Sequence, residues 1–192
     1  MKLEKPSLKE VDGTDLSPMF PLFNFFPEVV NGDKNYLDST AGVEHYKLLG
    51  WLSNQFQNSL ISEIGTCDGI GLLALSLNKS NNVVSYDIFD YDRKHQVPSN
   101  GKRVICEREF NFYQDIVKSE VIFYDAQHQG DAELEFVNKL IEMNYKGILV
   151  FDDIKLNEPM KQFWSRLESM NLRVEDWTDI GHYEGTGVIF FG

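Results

Sequence analysis

A glycine-rich stretch at residues 60–75 constrains the fold more than any other part of the chain. The sequence LISEIGTCDGIGLLAL is typical of a short buried strand, a turn containing Gly65, Gly69 and Gly71, and the apolar start of a helix. Glycine allows backbone conformations with positive φ and lets a ligand approach the main chain closely. Three glycines at a strand-to-helix junction therefore predict a site for a nucleotide-like cofactor, with a turn that serves only tight packing as the alternative.

The spacing of these glycines distinguishes between cofactors. A dinucleotide site has the order G-x-G-x-x-G, whereas here the wide gap comes first, in Glu63-x-Gly65-x-x-x-Gly69-x-Gly71. An acid that binds ribose is expected about 20 residues further on, at the end of the next strand, and Asp87 ends that strand. The pattern resembles motif I of the class I S-adenosylmethionine-dependent methyltransferases. The resemblance implies that Glu63, Gly65, Gly69, Gly71 and Asp87 bind S-adenosylmethionine.

The composition is that of one globular domain with an acidic net charge. The 192 residues are 42% hydrophobic and 25% charged, and 18 Lys+Arg against 30 Asp+Glu give a net charge of −12. Nucleic-acid partners are not expected, because the charge would repel a phosphate backbone.

No apolar run reaches membrane length and no signal peptide is evident, so a cytoplasmic protein is expected. Cys67 and Cys106 lack the C-x-x-C spacing of a zinc site and are expected to be reduced.

The first 35 residues are expected to form an irregular N-terminal arm. Their prolines prevent a long regular element, and their phenylalanines either pack onto the domain or form part of a substrate lid or subunit contact. The domain itself is assigned to residues 36–192. It opens with a helical pattern from Asp38 to Phe56, for which Ser39 or Thr40 is the expected N-cap.

The rest of the chain alternates strands with helices, and this order predicts the fold class. Further strands are expected at 83–87, 103–106, 121–124 and 147–151, with helices from the glycine turn to about Asn78, at 109–118, and around 134–141 and 160–170. A closing antiparallel pair is expected at 172–177 and 187–191. We therefore predict a single-domain α/β fold with a doubly wound (Rossmann-like), mostly parallel seven-stranded sheet and an antiparallel C-terminal strand.

Acidic residues follow two neighbouring strands of this predicted sheet. Asp125 comes after the fourth strand, and Asp152 and Asp153 come after the fifth. Ligands of open α/β sheets bind at the carboxyl ends of the strands, so the three carboxylates should converge there. Such a group would repel itself strongly without a cation, and hard oxygen ligands favour magnesium, calcium or manganese. The alternative is that these are solvated acids at strand ends or helix caps.

The sequence DAQH at 125–128, together with the Asp152-Asp153 pair, extends the family resemblance. It is similar to the metal-dependent O-methyltransferases that act on macrolide, aminocoumarin and rhamnose-type sugars, and more distantly to the catechol O-methyltransferases, which have an asparagine at the position of Asp153. The resemblance implies that Asp125, Asp152 and Asp153 bind a divalent cation, with Mg²⁺ favoured, and that His128 is the general base beside Asp125. A hydrogen-bonded loop histidine is the alternative for His128.

Three further strings, at 42–49, 152–157 and 181–187, resemble a branch of carbohydrate-modifying methyltransferases. The resemblance implies that Glu44 contacts the amino acid end of the cofactor and that Trp164, His182 and Tyr183 line an acceptor pocket. A packing or turn role is an equal alternative for each of them.

Taken together, these patterns predict an S-adenosylmethionine-dependent, divalent-metal-dependent O-methyltransferase for a sugar hydroxyl, on a glycan or a small molecule. A catechol-type enzyme and a non-catalytic binding module are the alternatives, and a homo-oligomer is left open. Amino-methylation is disfavoured because DAQH stands where the N/D-P-P-Y/F motif would be. A nicotinamide oxidoreductase is disfavoured by the glycine spacing.

Overall fold

A seven-stranded sheet forms the centre of the molecule. The computed structural model describes residues 3–23, 36–90, 95–106 and 112–192. Its strands are β1 (Leu60–Ile64), β2 (Asn82–Asp87), β3 (Gly101–Ile105), β4 (Val121–Tyr124), β5 (Ile148–Phe151), β6 (Arg173–Asp176) and β7 (Gly187–Phe190). The strand order is β3-β2-β1-β4-β5-β7-β6.

The direction of the strands confirms the predicted fold class. The pairs from β3 to β5 are parallel, whereas β7 runs antiparallel to both of its neighbours, β5 and β6. The strand order reverses between β1 and β4: β2 and β3 lie on one side of this point, and β5, β7 and β6 lie on the other. The loops after β1 and β4 therefore lead away from each other and leave a crevice where ligands bind in such folds.

The helices cover both faces of the sheet. They are α1 (Leu8–Asp12), α2 (Tyr46–Gln55), α3 (Ile70–Leu75), α4 (Tyr113–Ile116), α5 (Asp131–Glu142) and α6 (Glu158–Glu168). Alternate residues of each strand face opposite cores: Val121 and Phe123 of β4 join the core with α2 and α3, while Ile122 and Tyr124 join the core with α5 and α6. Every residue of β4 and β5 is buried, which explains why their sequences are uninterrupted apolar runs.

The N-terminal segment is more regular than its prolines suggested. Ser7 and Glu10 form a reciprocal capping box at the start of α1, and a 3₁₀ helix spans Ser17–Leu22. Val11, Leu16 and Met19 are fully buried in the α2/α3 core, and Phe20 and Phe23 pack against it. Residues 24–35, with Phe25, Phe26 and Pro27, lie outside the described residues.

The expected helix from Asp38 to Phe56 begins later than predicted. A 3₁₀ helix covers Tyr36–Asp38, and α2 starts only at Tyr46 with His45 at its N-cap, so neither Ser39 nor Thr40 caps it. The intervening residues bond to a distant loop instead of forming a helix. Gly42 donates its N–H to the carbonyl of Gly181 (2.9 Å), which draws residues 42–45 toward the β6–β7 connection.

Smaller differences lie at the ends of other elements. The helix after the glycine turn ends at Leu75, β3 starts two residues before the predicted 103, and the helix expected at 109–118 is confined to Tyr113–Ile116, with 107–111 outside the described part. Cys67 and Cys106 are free thiols. Within the described ranges, no helix has both the length and the apolar character needed to cross a membrane.

Candidate active site

The glycine turn after β1 is built from close backbone contacts. Gly65 has φ +93°, and a Cβ there would overlap the carbonyl oxygen of Asp125 on the neighbouring strand end. Only glycine therefore lets the β1 turn pack against the end of β4. Gly69 is the N-cap of α3, and the Arg103 guanidinium lies over it while donating to the carbonyl of Asp68 (2.6 Å).

Glu63 supports this turn from beneath. Its side chain is only 1% exposed, lies against Gly71, and accepts a short hydrogen bond from the hydroxyl of Ser85 on β2. Burial raises the pKa of the Glu63 carboxyl to about 8. The sequence pattern suggested cofactor contacts for both residues, but in the structure Glu63 and Gly71 pack on each other between β1 and α3.

A cleft of about 560 Å³ opens beside the turn. Its lining comes from the ends of β1, β2, β3 and β4 and includes Gly65, Cys67, Asp87, Cys106 and Asp125, together with the aromatic rings of Phe89, Phe112 and Tyr113. Asp87 accepts hydrogen bonds from the backbone N–H of Cys67 (2.9 Å) and of Phe89 (3.0 Å), so its carboxylate is fixed at the cleft wall. The predicted residues Gly65 and Asp87 thus lie together in a cavity of the size that small-molecule ligands occupy.

Strand register brings the acidic residues to one edge of the sheet. Tyr124, the last residue of β4, pairs with Phe151, the last residue of β5, so Asp125 and Asp152 leave the sheet side by side. The Asp152 N–H extends the ladder by donating to the carbonyl of Tyr124 (3.0 Å), and the Asp125 N–H donates to that of Ile64 (2.8 Å). The pairing of β1, β4 and β5 therefore brings the backbones of Asp125 and Asp152 to one edge of the sheet.

Two histidines flank the buried Asp152. The Nδ1 atom of His45 lies 3.2 Å from Asp152 Oδ2, and that of His182 lies 3.4 Å from Asp152 Oδ1. Burial lowers the pKa of both imidazoles, but the neighbouring carboxylates outweigh it and raise the pKa to about 9 for His45 and about 10 for His182. Burial also disfavours the charged form of Asp152, yet the two imidazoles lower its pKa well below the usual value.

His128 lies on the other side of the acids. Its Nε2 atom is 3.4 Å from Asp125 Oδ1 and 3.8 Å from Asp153 Oδ2. A hydrogen bond to Asp125 raises the pKa of His128. The Oδ1 atom of Asp153 is 2.8 Å from His182 Nδ1, so Asp153 lies between His128 and His182.

The loop that carries His128 is held by two side chains. Glu133, fully buried at the start of α5, accepts hydrogen bonds from the N–H groups of His128 (2.8 Å) and Gly130 (2.5 Å). Asn157, the N-cap of α6, donates to the carbonyl of His128 (2.9 Å). These bonds hold His128 in a left-handed backbone conformation with φ +55°, and such strain is maintained only where the surroundings fix it.

The remaining predicted residues fall into different surroundings. Glu44 is buried with a carboxylate oxygen 3.8 Å from His182 Nε2, so it faces this histidine. Tyr183 is 62% exposed beside His182, with ring centroids 4.6 Å apart. Trp164 is 7% exposed and packs against Gly187 within the core of α5 and α6, which is the environment of a packing residue.

Sequence reasoning gave no role to His45. It stood inside the 42–49 string and within the helix predicted from Asp38 to Phe56. Its place next to Glu44 in that string was the available signal. Among the described residues, two groups bring potential metal ligands together: His45, Asp152 and His182, and Asp153, His182 and Glu184. Asp125 belongs to neither group and faces His128 instead.

Unpaired polar atoms show whether the cluster suits a cation. Within the described part of the chain, the Nδ1 atoms of His45 and His128 and the Oδ1 atom of Asp152 are buried and lack hydrogen-bond partners. A buried polar atom without a partner costs free energy, about 1–3 kcal/mol, and a bound cation would use such lone pairs. The atoms of His45 and Asp152 belong to one group of neighbouring ligands with His182, and this donor set fits a divalent ion.

Comparison with solved structures identifies the fold. The chain resembles the O-methyltransferase from Bacillus cereus in complex with SAH (TM-score 0.51, 15% identity, 95% of this chain and 90% of that one). It also resembles cofactor-bound Rv0187 from MTB, with a TM-score of 0.57 and 14% identity over 85% of this chain and 84% of that one. The SAH-bound methyltransferase PaMTH1 from Podospora anserina is similar as well, with a TM-score of 0.52 and 15% identity over 76% of this chain and 79% of that one. No protein-family model and no curated protein matches the sequence. At these identities the likeness concerns the fold, and the chain has the fold of the S-adenosylmethionine-dependent methyltransferases.

Proposed function

We propose that this protein is an S-adenosylmethionine-dependent O-methyltransferase that methylates a sugar hydroxyl with the help of a divalent cation. One observation carries the proposal: Asp125 lines the cleft beside the glycine turn and also lies 3.4 Å from His128. A methyl donor in the cleft would therefore adjoin an acid–histidine cluster suited to deprotonating a hydroxyl. The sugar acceptor itself rests on the resemblance of the DAQH and Asp152-Asp153 motifs.

The cleft residues match the parts of the donor. Asp87, fixed by two backbone N–H groups, offers a carboxylate to the ribose hydroxyls. Phe89, Phe112 and Tyr113 offer aromatic faces for the adenine ring. Gly65 and Asp125 line the cleft side by side, where the methionine part of the donor would lie.

The cation would be held by Asp152 and Asp153, and the motif resemblance adds Asp125, although its side chain faces His128 in the structure. When bound, it lowers the pKa of a coordinated hydroxyl and so supports its deprotonation. The unpaired, buried Oδ1 atom of Asp152 supports this role.

His128 is the proposed general base. A hydroxyl resembles water, with a pKa of about 15.7, and an ordinary imidazole has a pKa of about 6.5. This difference of about nine units, or about 12 kcal/mol, means that His128 must accept the proton as the methyl group arrives. The raised pKa of His128 beside Asp125 makes it a stronger base. In that step the methyl carbon forms its bond to the hydroxyl oxygen, the carbon–sulfur electron pair returns to sulfur, and the proton moves to the imidazole.

The acceptor would enter over the exposed side of the cluster. Tyr183 is exposed beside His182 and offers an aromatic face on which a sugar ring can pack. The net charge of −12 disfavours polyanionic acceptors such as nucleic acids.

Transfer of a labelled methyl group from S-adenosylmethionine tests the proposal. The acceptors are deoxysugar glycosides, including rhamnosides, and catechols, each with Mg²⁺ and with a chelator. We expect cation-dependent labelling of a sugar, lost in His128→Ala and Asp153→Asn but retained in Asp179→Asn, an exposed acid paired with Lys5. Preferential labelling of catechols would indicate the catechol-type enzyme, and cofactor binding without any labelling would favour a binding module.

A further inference from the structure

The strongest unassigned feature is the group of nitrogen donors around Asp152. His45 enters from the N-terminus of α2, Asp152 from the end of β5, and His182 from the β6–β7 connection. These elements are distant in sequence, yet the ligand atoms of the three side chains all lie within 4.8 Å of one another. The three side chains are between 4% and 11% exposed, so the group lies beneath the surface.

The contacts within the group are close but poorly directed as hydrogen bonds. His45 Nδ1 lies 3.2 Å from Asp152 Oδ2, yet neither His45 Nδ1 nor Asp152 Oδ1 has a hydrogen-bond partner among the described residues. Both atoms belong to the group whose ligand atoms all lie within 4.8 Å of one another. Two unpaired polar atoms, on side chains that are about 95% buried, are therefore aimed into the cluster.

The separations also match those of ligands on one metal ion. Two ligands about 2.1 Å from a metal lie about 3.0 Å apart at right angles and about 3.4 Å apart in a tetrahedral arrangement. His45 Nδ1 lies 3.2 Å from Asp152 Oδ2 and His182 Nδ1 lies 3.4 Å from Asp152 Oδ1, so the two histidines face different oxygens of one carboxylate. An ion between them would take both oxygens, and the ligand atoms of the three side chains all lie within 4.8 Å of one another.

The surroundings orient His182 as they orient metal-binding histidines elsewhere. Its Nδ1 atom faces Asp152 and Asp153, and its Nε2 atom faces the buried carboxylate of Glu44 at 3.8 Å. A carboxylate behind the second ring nitrogen fixes the orientation of a ligating imidazole and increases its basicity. Glu44 would then act through His182 as a positioning residue.

We propose that His45, Asp152 and His182 form a mixed nitrogen–oxygen site for a first-row transition-metal ion such as Zn²⁺, Fe²⁺ or Co²⁺, in preference to Mg²⁺. Imidazole ligands favour these ions, whereas Mg²⁺ selects oxygen ligands and water. The histidines add two nitrogen donors to the carboxylate set assigned above. The catalytic meaning of the site rests on the proposed function, but its metal binding is measurable without turnover.

Titration of the metal-free protein with Co²⁺ tests the proposal, because the visible absorption of Co²⁺ reports its ligands. We expect one Co²⁺ per chain, displaced by Zn²⁺ but not by a large excess of Mg²⁺. His45→Gln and His182→Gln should each weaken Co²⁺ binding at least about tenfold. His95→Gln is the matched control, since this buried histidine stacks on Phe23 and lies outside both groups of potential metal ligands, and the Co²⁺ affinity of this variant should stay within about threefold of wild type.

A measurement on the unaltered chain covers the case in which a variant does not fold. Nitrogen NMR of the imidazoles distinguishes a metal-bound ring from a protonated one on addition of Zn²⁺. Zn²⁺-dependent shifts of His45 and His182 are expected. Two protonated imidazoles that stay unchanged with Zn²⁺, or Co²⁺ that Mg²⁺ displaces readily, would overturn the proposal and leave a buried ion-pair network or a carboxylate site.

The two proposals fail in different ways. Methyl transfer that is absent while Co²⁺ binds as described would refute the proposed function alone. Mg²⁺-supported methyl transfer in a protein that does not bind Co²⁺ would refute the mixed site alone.

Discussion

At the scale of single residues, buried acids at this site have different chemistry according to their neighbours. Asp152 has two imidazoles beside it and a lowered pKa, whereas at Glu63 burial outweighs the hydrogen bond from Ser85 and raises the pKa to about 8. The acid of the glycine motif is therefore expected to be a neutral support for the turn at physiological pH.

This protonation makes stability depend on pH. The folded-state pKa of Glu63, about 8, exceeds the ordinary value of 4.5. The contribution of Glu63 to the free energy of unfolding is therefore fully present below about pH 4.5 and is lost as pH rises through about 8. In Glu63→Gln, which keeps the shape without the ionisation, we expect a smaller fall in the free energy of unfolding between about pH 5 and 8. Denaturant unfolding at a series of pH values measures this difference, and identical pH profiles would contradict the neutral Glu63.

Gly65 is the position where a single methyl group should have the largest local effect. Gly65→Ala would place a Cβ on the Asp125 carbonyl at a positive φ, so we expect a loss of about 2 kcal/mol or more, with weaker S-adenosylmethionine binding. Thermal unfolding and calorimetric titration measure the two effects. Gly192→Ala, which adds a Cβ with no atom within 4 Å, should change neither. Unaltered cofactor affinity in a folded Gly65→Ala protein would show that the turn at Gly65 does not contact S-adenosylmethionine.

At the scale of elements, the sequence predicted the strands better than the helix ends. The runs VIFY and ILVF are wholly buried in β4 and β5, so their hydrophobicity alone located them and the acids that follow. The start of α1 was missed although Ser7 and Glu10 carry its capping signal, because the density of prolines dominated the prediction. The positions of His45 and His182 depend on the Gly42–Gly181 contact between distant loops, which no local pattern encodes.

Asn157 links an element boundary to the site, and two substitutions separate its roles. Asn157→Asp keeps an oxygen that can cap α6 but removes the amide donor to the His128 carbonyl, whereas Asn157→Ala removes both. We expect Asn157→Ala to lose about 1 kcal/mol of stability and both variants to lose methyl-transfer rate. Thermal unfolding and initial rates measure these effects. Full activity in a stable Asn157→Asp would show that the cap does not position His128.

At the scale of the whole molecule, β7 joins the outermost strand, β6, to the rest of the sheet. It lies between β5 and β6 and is antiparallel to both, and β6 has no other partner among the described strands. Val188 and Ile189 are fully buried in opposite cores. A strand near the C-terminus of the sequence is thus an interior strand.

A chain that ends at Thr186 should therefore fail to fold. Loss of β7 exposes the edge of β5 and leaves β6 unpaired, so we expect no cooperative thermal transition and no binding of S-adenosylmethionine. Circular dichroism and calorimetry measure the outcome. A chain that lacks only Gly192 is the control and should unfold as the full chain does. Cooperative unfolding of the chain that ends at Thr186 would show that the first five strands are stable alone.

The interior position of β7 also sets an order of events during protein synthesis. Strand β6 leaves the ribosome before its partner β7, so it has to wait for residues 187–190 before it can pair. His182 lies in the connection between β6 and β7, so it reaches Asp152 only when that last pairing occurs. If His45, Asp152 and His182 bind a metal ion as proposed, the nascent chain presents the glycine turn and the acids first, and the ligand set is complete only after β7 has been released.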